Sequence, residues 1–84
     1  MNPTQLKDAV LEALYSVAPE AEGEQLDPAA NMRDQLDIDS MDFLNFLVAL
    51  KDAVGVEVPE ADYMHVATLD DCVRYLAARL PTAT

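Results

Sequence analysis

Ser40 stands in the run Asp39-Ser40-Met41-Asp42, where an apolar pattern of helical period begins. A hydroxyl at that point lies among the free backbone N–H groups of a first helical turn and at the positive end of the helix dipole. An exposed phosphate ester there gains typically about 0.3–1 kcal/mol. The residue types therefore suit an attachment point for a phosphorylated group. They suit an ordinary helix-capping serine as well, because a short Asp-Ser-apolar triplet recurs by chance.

The other chemically able residues are sparse. Asp34, Asp37, Asp39 and Asp42 invite a calcium reading. An EF-hand loop wants acids at alternate positions, glycine at the sixth and glutamate at the twelfth. Counted from Asp37, the fifth position is Met41, the sixth Asp42 and the twelfth Val48, so the motif fails and no metal site is expected. Cys72 falls on an apolar helix face, where a thiol behaves as a small hydrophobe. His65 has no second His or Cys at ligand spacing and reads as a surface or locally bonded residue. Tyr15, Tyr63 and Tyr75 read as packing residues with hydroxyls reaching water. There is no nucleophile-base constellation and no glycine-rich phosphate loop in a chain with 2 glycines, so an enzyme is not expected.

Composition narrows the class further. The 84 residues allow one small domain, 1–84, with a thin core. With 16 acids against 5 Lys and Arg, the net charge of −11 argues against nucleic acid or an anionic membrane as a partner and for basic partners. An apolar fraction of 51% argues against full disorder. A single cysteine gives no intrachain disulfide, and the first residues lack a basic region followed by an apolar one. Phe43 to Leu50 is far short of the roughly 20 residues that span a bilayer. The default expectation is a cytoplasmic monomer.

The elements that position Ser40 follow from period and punctuation. Leu6, Val10, Ala13, Leu14 and Val17 share one helical face over about Pro3 to Val17, with Asn2 as cap and Pro19 as stop. The stretch from Pro19 to Asp39, with acids at Glu20, Glu22, Glu24 and Asp27, is long for a connection, and Ala30 to Leu36 can hide a turn of helix pinned by Met32 and Leu36. A second helix runs from Ser40 to Val54, capped by Asp39 or Ser40 and closed by Gly55. Val56-Glu57-Val58-Pro59 reads as extended, and a short helix follows through Glu60 to His65. Thr68-Leu69-Asp70-Asp71 approximates a capping box for a last helix. That helix buries Leu69, Cys72, Val73, Leu76 and Leu80, carries Arg74 and Arg79 toward its end, and stops at Pro81. The sum is an all-α domain of three main helices and one short one, with a long first loop.

The helix from Ser40 carries two apolar lines. At about 100° per residue, Phe43, Phe46, Leu47, Leu50 and Val54 form a core stripe. Met41, Leu44 and Val48 form another, displaced by about 130°. A surface helix needs one buried stripe, so the second reads as an exposed docking line rimmed by Asp42, Asn45, Lys51 and Asp52. The other reading is a central helix buried on two sides.

Beyond the triplet, Met32-Arg33-Asp34-Gln35-Leu36-Asp37-Ile38-Asp39-Ser40-Met41-Asp42 resembles the acyl carrier protein signature. The likeness continues through Leu50, Val54 and Gly55, through Val56-Glu57-Val58-Pro59-Glu60, and through Ala67-Thr68-Leu69. It implies a four-helix bundle with three main helices, one short helix and a long first loop. It also implies a 4′-phosphopantetheine arm on Ser40, installed from coenzyme A by a phosphopantetheinyl transferase and carrying acyl groups as thioesters. Such a protein catalyses nothing. By the same resemblance, Asp39 and Asp42 help present Ser40, and Met41, Leu44 and Val48 are the positions that touch acyl-activating, acyltransferase or ketosynthase partners.

The chain departs from carriers of general fatty acid synthesis, which usually bear acids along this helix. Here the matching positions are Asn45, Lys51 and Ala53, and Phe43 and Phe46 are bulky. A freestanding, specialised carrier serving its own pathway is the leading expectation. An aminoacyl or peptidyl carrier, and an acidic helical adaptor without a prosthetic group, remain the alternatives.

Overall fold

A computed structural model describes residues 2–23 and 25–80. The expectations placed on Glu24 and Pro81 lie outside the described residues.

Helix α1 spans Pro3–Val17. Asn2 and Gln5 start it with a reciprocal box: Gln5 N–H donates to Asn2 Oδ1 at 2.8 Å and Asn2 N–H donates to Gln5 Oε1 at 3.0 Å. Its buried face is Leu6, Val10, Ala13 and Leu14, while Val17, expected on the same face, is only partly buried at the helix end. Ala18 ends it, and Pro19 does more than stop it. A 3-10 helix, Pro19–Gly23, begins there and buries Ala21.

The long first loop is not loose. Gln35 ties it from inside, accepting from Asp27 N–H at 2.8 Å and donating to Asp27 O at 2.9 Å and Ala30 O at 3.1 Å. The expected hidden turn is α2, Met32–Leu36, capped by Asn31. Met32 is buried, its N–H donates to Ala67 O at 2.9 Å, and Asn31 pairs with Thr68 in an isolated antiparallel bridge. Asp70 N–H donates to Pro28 O at 3.0 Å. Backbone bonds thus clamp the loop to the start of the last helix.

Helix α3, Ser40–Val54, packs chiefly on α1, which also meets α4, Leu69–Arg79. Gly55 closes α3 at φ 76°, a left-handed conformation that costs glycine little. Val56 and Val58 are buried while Glu57 between them is exposed, the alternation of an extended segment. The short helix is a 3-10 helix, Glu60–Val66, longer by one residue than the expected stretch and with the exposed His65 inside it.

In α4 the capping box forms by half. Asp71 N–H donates to Thr68 Oγ1 at 3.0 Å, but the Asp71 carboxylate turns to Arg74 at 3.1 Å. Tyr75 also finds an unexpected partner. It is buried as a residue, and its hydroxyl, at the edge of an open cleft, donates to Asp62 Oδ2 at 2.7 Å. Arg79 covers it, 3.6 Å from the ring centre, and meets the same Asp62 oxygen at 3.3 Å. Val73 and Leu80 are only partly buried.

The fold is all-α, with no strand among the described residues. Apart from the Cys72 thiol and the Tyr75 hydroxyl the core is apolar, and among the described residues no charged side chain is buried. Every described acid is thus exposed or half-exposed, where repulsion costs less than in the interior. That is how so small a core carries so large a charge.

Candidate functional site

The turn from α2 to α3 sets the site. Asp37 adopts φ 54°, the one non-glycine residue with positive φ among the described residues. Aspartate enters the left-handed region more readily than most residues. The turn drops Ile38 into the core and brings the chain to α3. Arg33 brackets Ile38, its carbonyl accepting from Ile38 N–H at 3.2 Å and its Nε donating to Ile38 O at 3.3 Å.

Asp39 is the cap, extended at φ −80° and ψ 177°, and its Oδ1 accepts from Asp42 N–H at 2.8 Å. Of the two residues the sequence offered for this duty, the structure uses Asp39. Ser40 is the first helical residue, exposed, at the positive end of a 15-residue helix. Asp42 follows, half-buried.

The two apolar lines of α3 separate as the wheel predicts. Phe43, Phe46, Leu47 and Leu50 are buried, with Val54 partly so. Met41, Leu44 and Val48 are 70%, 46% and 60% exposed, which excludes burial on two sides. The line is flanked by Asn45, Lys51 and Asp52, which are exposed as well.

Sequence reasoning missed Met64, which is 74% exposed on the neighbouring 3-10 helix. Tyr63 connects it to α3. Its ring stands edge-on to Phe43 at 5.8 Å, and it shares a shallow groove of about 150 Å³ with Leu44, Leu47, Val48 and Val58. The groove mouth is spanned by Lys51 and Glu57 at 3.5 Å, both well exposed, a pairing that adds little stability. The only signal for Met64 was an apolar residue in a short helix, too short for a face to be read from period.

The remaining candidates resolve as structure. Cys72 is fully buried and burial pushes its thiol up to about 12, so it is neutral and unreactive at ordinary pH. Burial, and then the bond to Asp62, raise the Tyr75 hydroxyl. His65 borders a cleft with Asp62, Asp71, Arg74, Tyr75 and Arg79, in which each arginine already pairs with an aspartate.

Residues 5–76 match the family described as Phosphopantetheine attachment site. The chain is similar to an acyl carrier protein of Syntrophobacter fumaroxidans (strain DSM 10017 / MPOB), with 39% identity over 54 residues, 64% of this chain and 67% of that protein. No solved structure matches. Among the described residues no helix is long and apolar enough to cross a membrane.

Proposed function

The chain belongs to the acyl carrier protein family, whose members hold phosphopantetheine and are carriers, not enzymes, and from that premise we propose that Ser40 takes the arm. The observation that carries this is the division of labour at the start of α3. Asp39 makes the capping bond, so the exposed Ser40 hydroxyl is left for an ester.

The residues present fit the group. An exposed hydroxyl at the first position of α3 lies where helical N–H groups and the dipole favour a phosphodiester. When bound, the group supplies a thiol on a flexible arm, which holds an acyl chain as a thioester. The chain itself contributes placement. Ile38 anchors the approach, the Asp37 turn aims it, and Asp39 and Asp42 flank the serine for a phosphopantetheinyl transferase. A tether raises the concentration of cargo at a docked active site without new contacts.

Docking falls to Met41, Leu44 and Val48. With Asn45, Lys51 and Ala53 where general carriers hold acids, recognition rests on apolar shape as much as on charge. This supports a specialised carrier for acyl-activating, acyltransferase or ketosynthase enzymes of its own pathway, within fatty acid, polyketide or related acyl metabolism. Residues 1–84 form one carrier domain in this reading, acting as a cytoplasmic monomer.

The test is intact mass. Incubation with coenzyme A and a transferase is expected to add one phosphopantetheinyl group to the wild-type chain and none to Ser40→Ala. A loaded Ser40→Ala chain would move the site elsewhere.

A further inference from the structure

Arg33 is held beside the start of α3, and among the described residues it has no carboxylate partner. Its Nε donates to Ile38 O at 3.3 Å and its guanidinium lies 5.7 Å from the centre of the Phe43 ring. Phe43 and Ser40 are three apart on α3, neighbours on the helix surface. The Nε bond and the ring contact therefore hold a cation at the end of α3 that carries Ser40.

The neighbourhood makes this cation unusual. Asp34, Asp37, Asp39 and Asp42 follow it within nine residues, yet among the described residues Arg33 enters no ion pair. Lys51, Arg74 and Arg79 each do, and Lys7, the other lysine or arginine outside these pairs, lies on α1. A guanidinium has five N–H donors in a planar fork, and Nε uses one here, which leaves the two terminal amino groups. That fork matches the geometry of phosphate oxygens. Beside it opens a groove of about 290 Å³ lined by Asn31, Arg33, Phe43, Tyr63, Met64 and Ala67.

A phosphodiester on Ser40 adds one more negative charge to a chain of net charge −11, between Asp39 and Asp42. The helix dipole offsets little of this at an exposed site. We propose that Arg33 pairs with the phosphodiester of the arm on Ser40 and sets the direction in which the arm leaves the protein. This rests on the assignment of Ser40 as attachment point.

The experiment uses the full chain, unloaded and loaded, with loading scored by intact mass. A chain that takes no group overturns the attachment reading and this proposal with it. In loaded protein at low salt, the Arg33 Nε–Hε cross-peak is expected to move from its unloaded position. The ³¹P resonance is expected to be broader and displaced in wild type relative to Arg33→Gln, with Arg33→Lys keeping part of the offset. At 1 M NaCl, where the screening length is about 3 Å, the offset should collapse. Loaded wild type and Arg33→Gln with the same ³¹P shift and width would overturn the pairing while leaving Ser40 in place. An unmoved Nε–Hε cross-peak in wild type would do the same without reliance on a variant.

Discussion

Asp39 Oδ1 accepts the Asp42 N–H at 2.8 Å, and this bond assigns the two residues before Met41 to separate tasks. Asp39 holds the helix end, and the exposed Ser40 hydroxyl is left out of that bond. Asp39→Ala should lose about 0.5–2 kcal/mol of stability, and Asp39→Asn, which can still accept the bond, should stay near wild type. Ser40→Ala should change stability by no more than about 0.5 kcal/mol while losing all mass gain. Urea unfolding of the three variants decides it. A Ser40→Ala chain as weak as Asp39→Ala would show that the serine, too, is needed as a cap.

The opposite faces of α3 predict opposite mutational profiles. Leu50 is fully buried, and Leu50→Ala should cost about 2–5 kcal/mol, enough to unfold much of a domain this small. Leu44 is 46% exposed, and Leu44→Glu should leave the melting temperature nearly unchanged while slowing acyl transfer to a partner enzyme. Equal destabilisation by both would contradict the separation of the two stripes.

Asp37 sits at φ 54°, where a Cβ crowds the backbone. Glycine meets no such crowding but loses more chain entropy on folding, so the two effects partly offset. Strain relief should win, and Asp37→Gly should raise stability by up to about 1 kcal/mol. A lower urea midpoint would mean that the Asp37 side chain stabilises the turn by more than its backbone strain costs.

Cys72 gives a pH and reactivity prediction. Burial raises its thiol to about 12 in the folded chain from 9.0 when free. The folded state therefore binds its proton more tightly, so this contribution to stability is complete below about pH 9 and lost as pH climbs toward about 12. Native protein at pH 8 should resist iodoacetamide, whereas protein in urea should be alkylated within the same interval. Rapid labelling of the native chain, followed by mass spectrometry, would contradict the burial of the thiol.

Much of the site was legible because its signals are local. A cap, a proline at the first helical turn and a glycine at the last each act through a few neighbouring backbone groups, so Asn2, Pro3, Gly55 and Thr68 could be read from position, and the cap of α3 was narrowed to Asp39 or Ser40. The period of α3 separated Phe43, Phe46, Leu47 and Leu50 from Met41, Leu44 and Val48 before any packing was known. Short helices carry too few residues for such a period. That is why the 3-10 geometry of Pro19–Gly23, the extent of Glu60–Val66 and the exposure of Met64 were not legible.

By itself, then, the amino-acid order determined the three main helices, the two lines on α3 and the serine between acids. Tertiary structure decided which bonds join distant segments. The Asn31–Thr68 bridge, the Met32–Ala67 bond and the Tyr75–Asp62 bond link residues that no period relates. It also decided that Arg33 reaches back over Ile38 toward Phe43 and pairs with none of the acids around it in sequence. Side-chain partners depend on which surfaces burial brings together, and burial is a property of the whole core, not of any one segment.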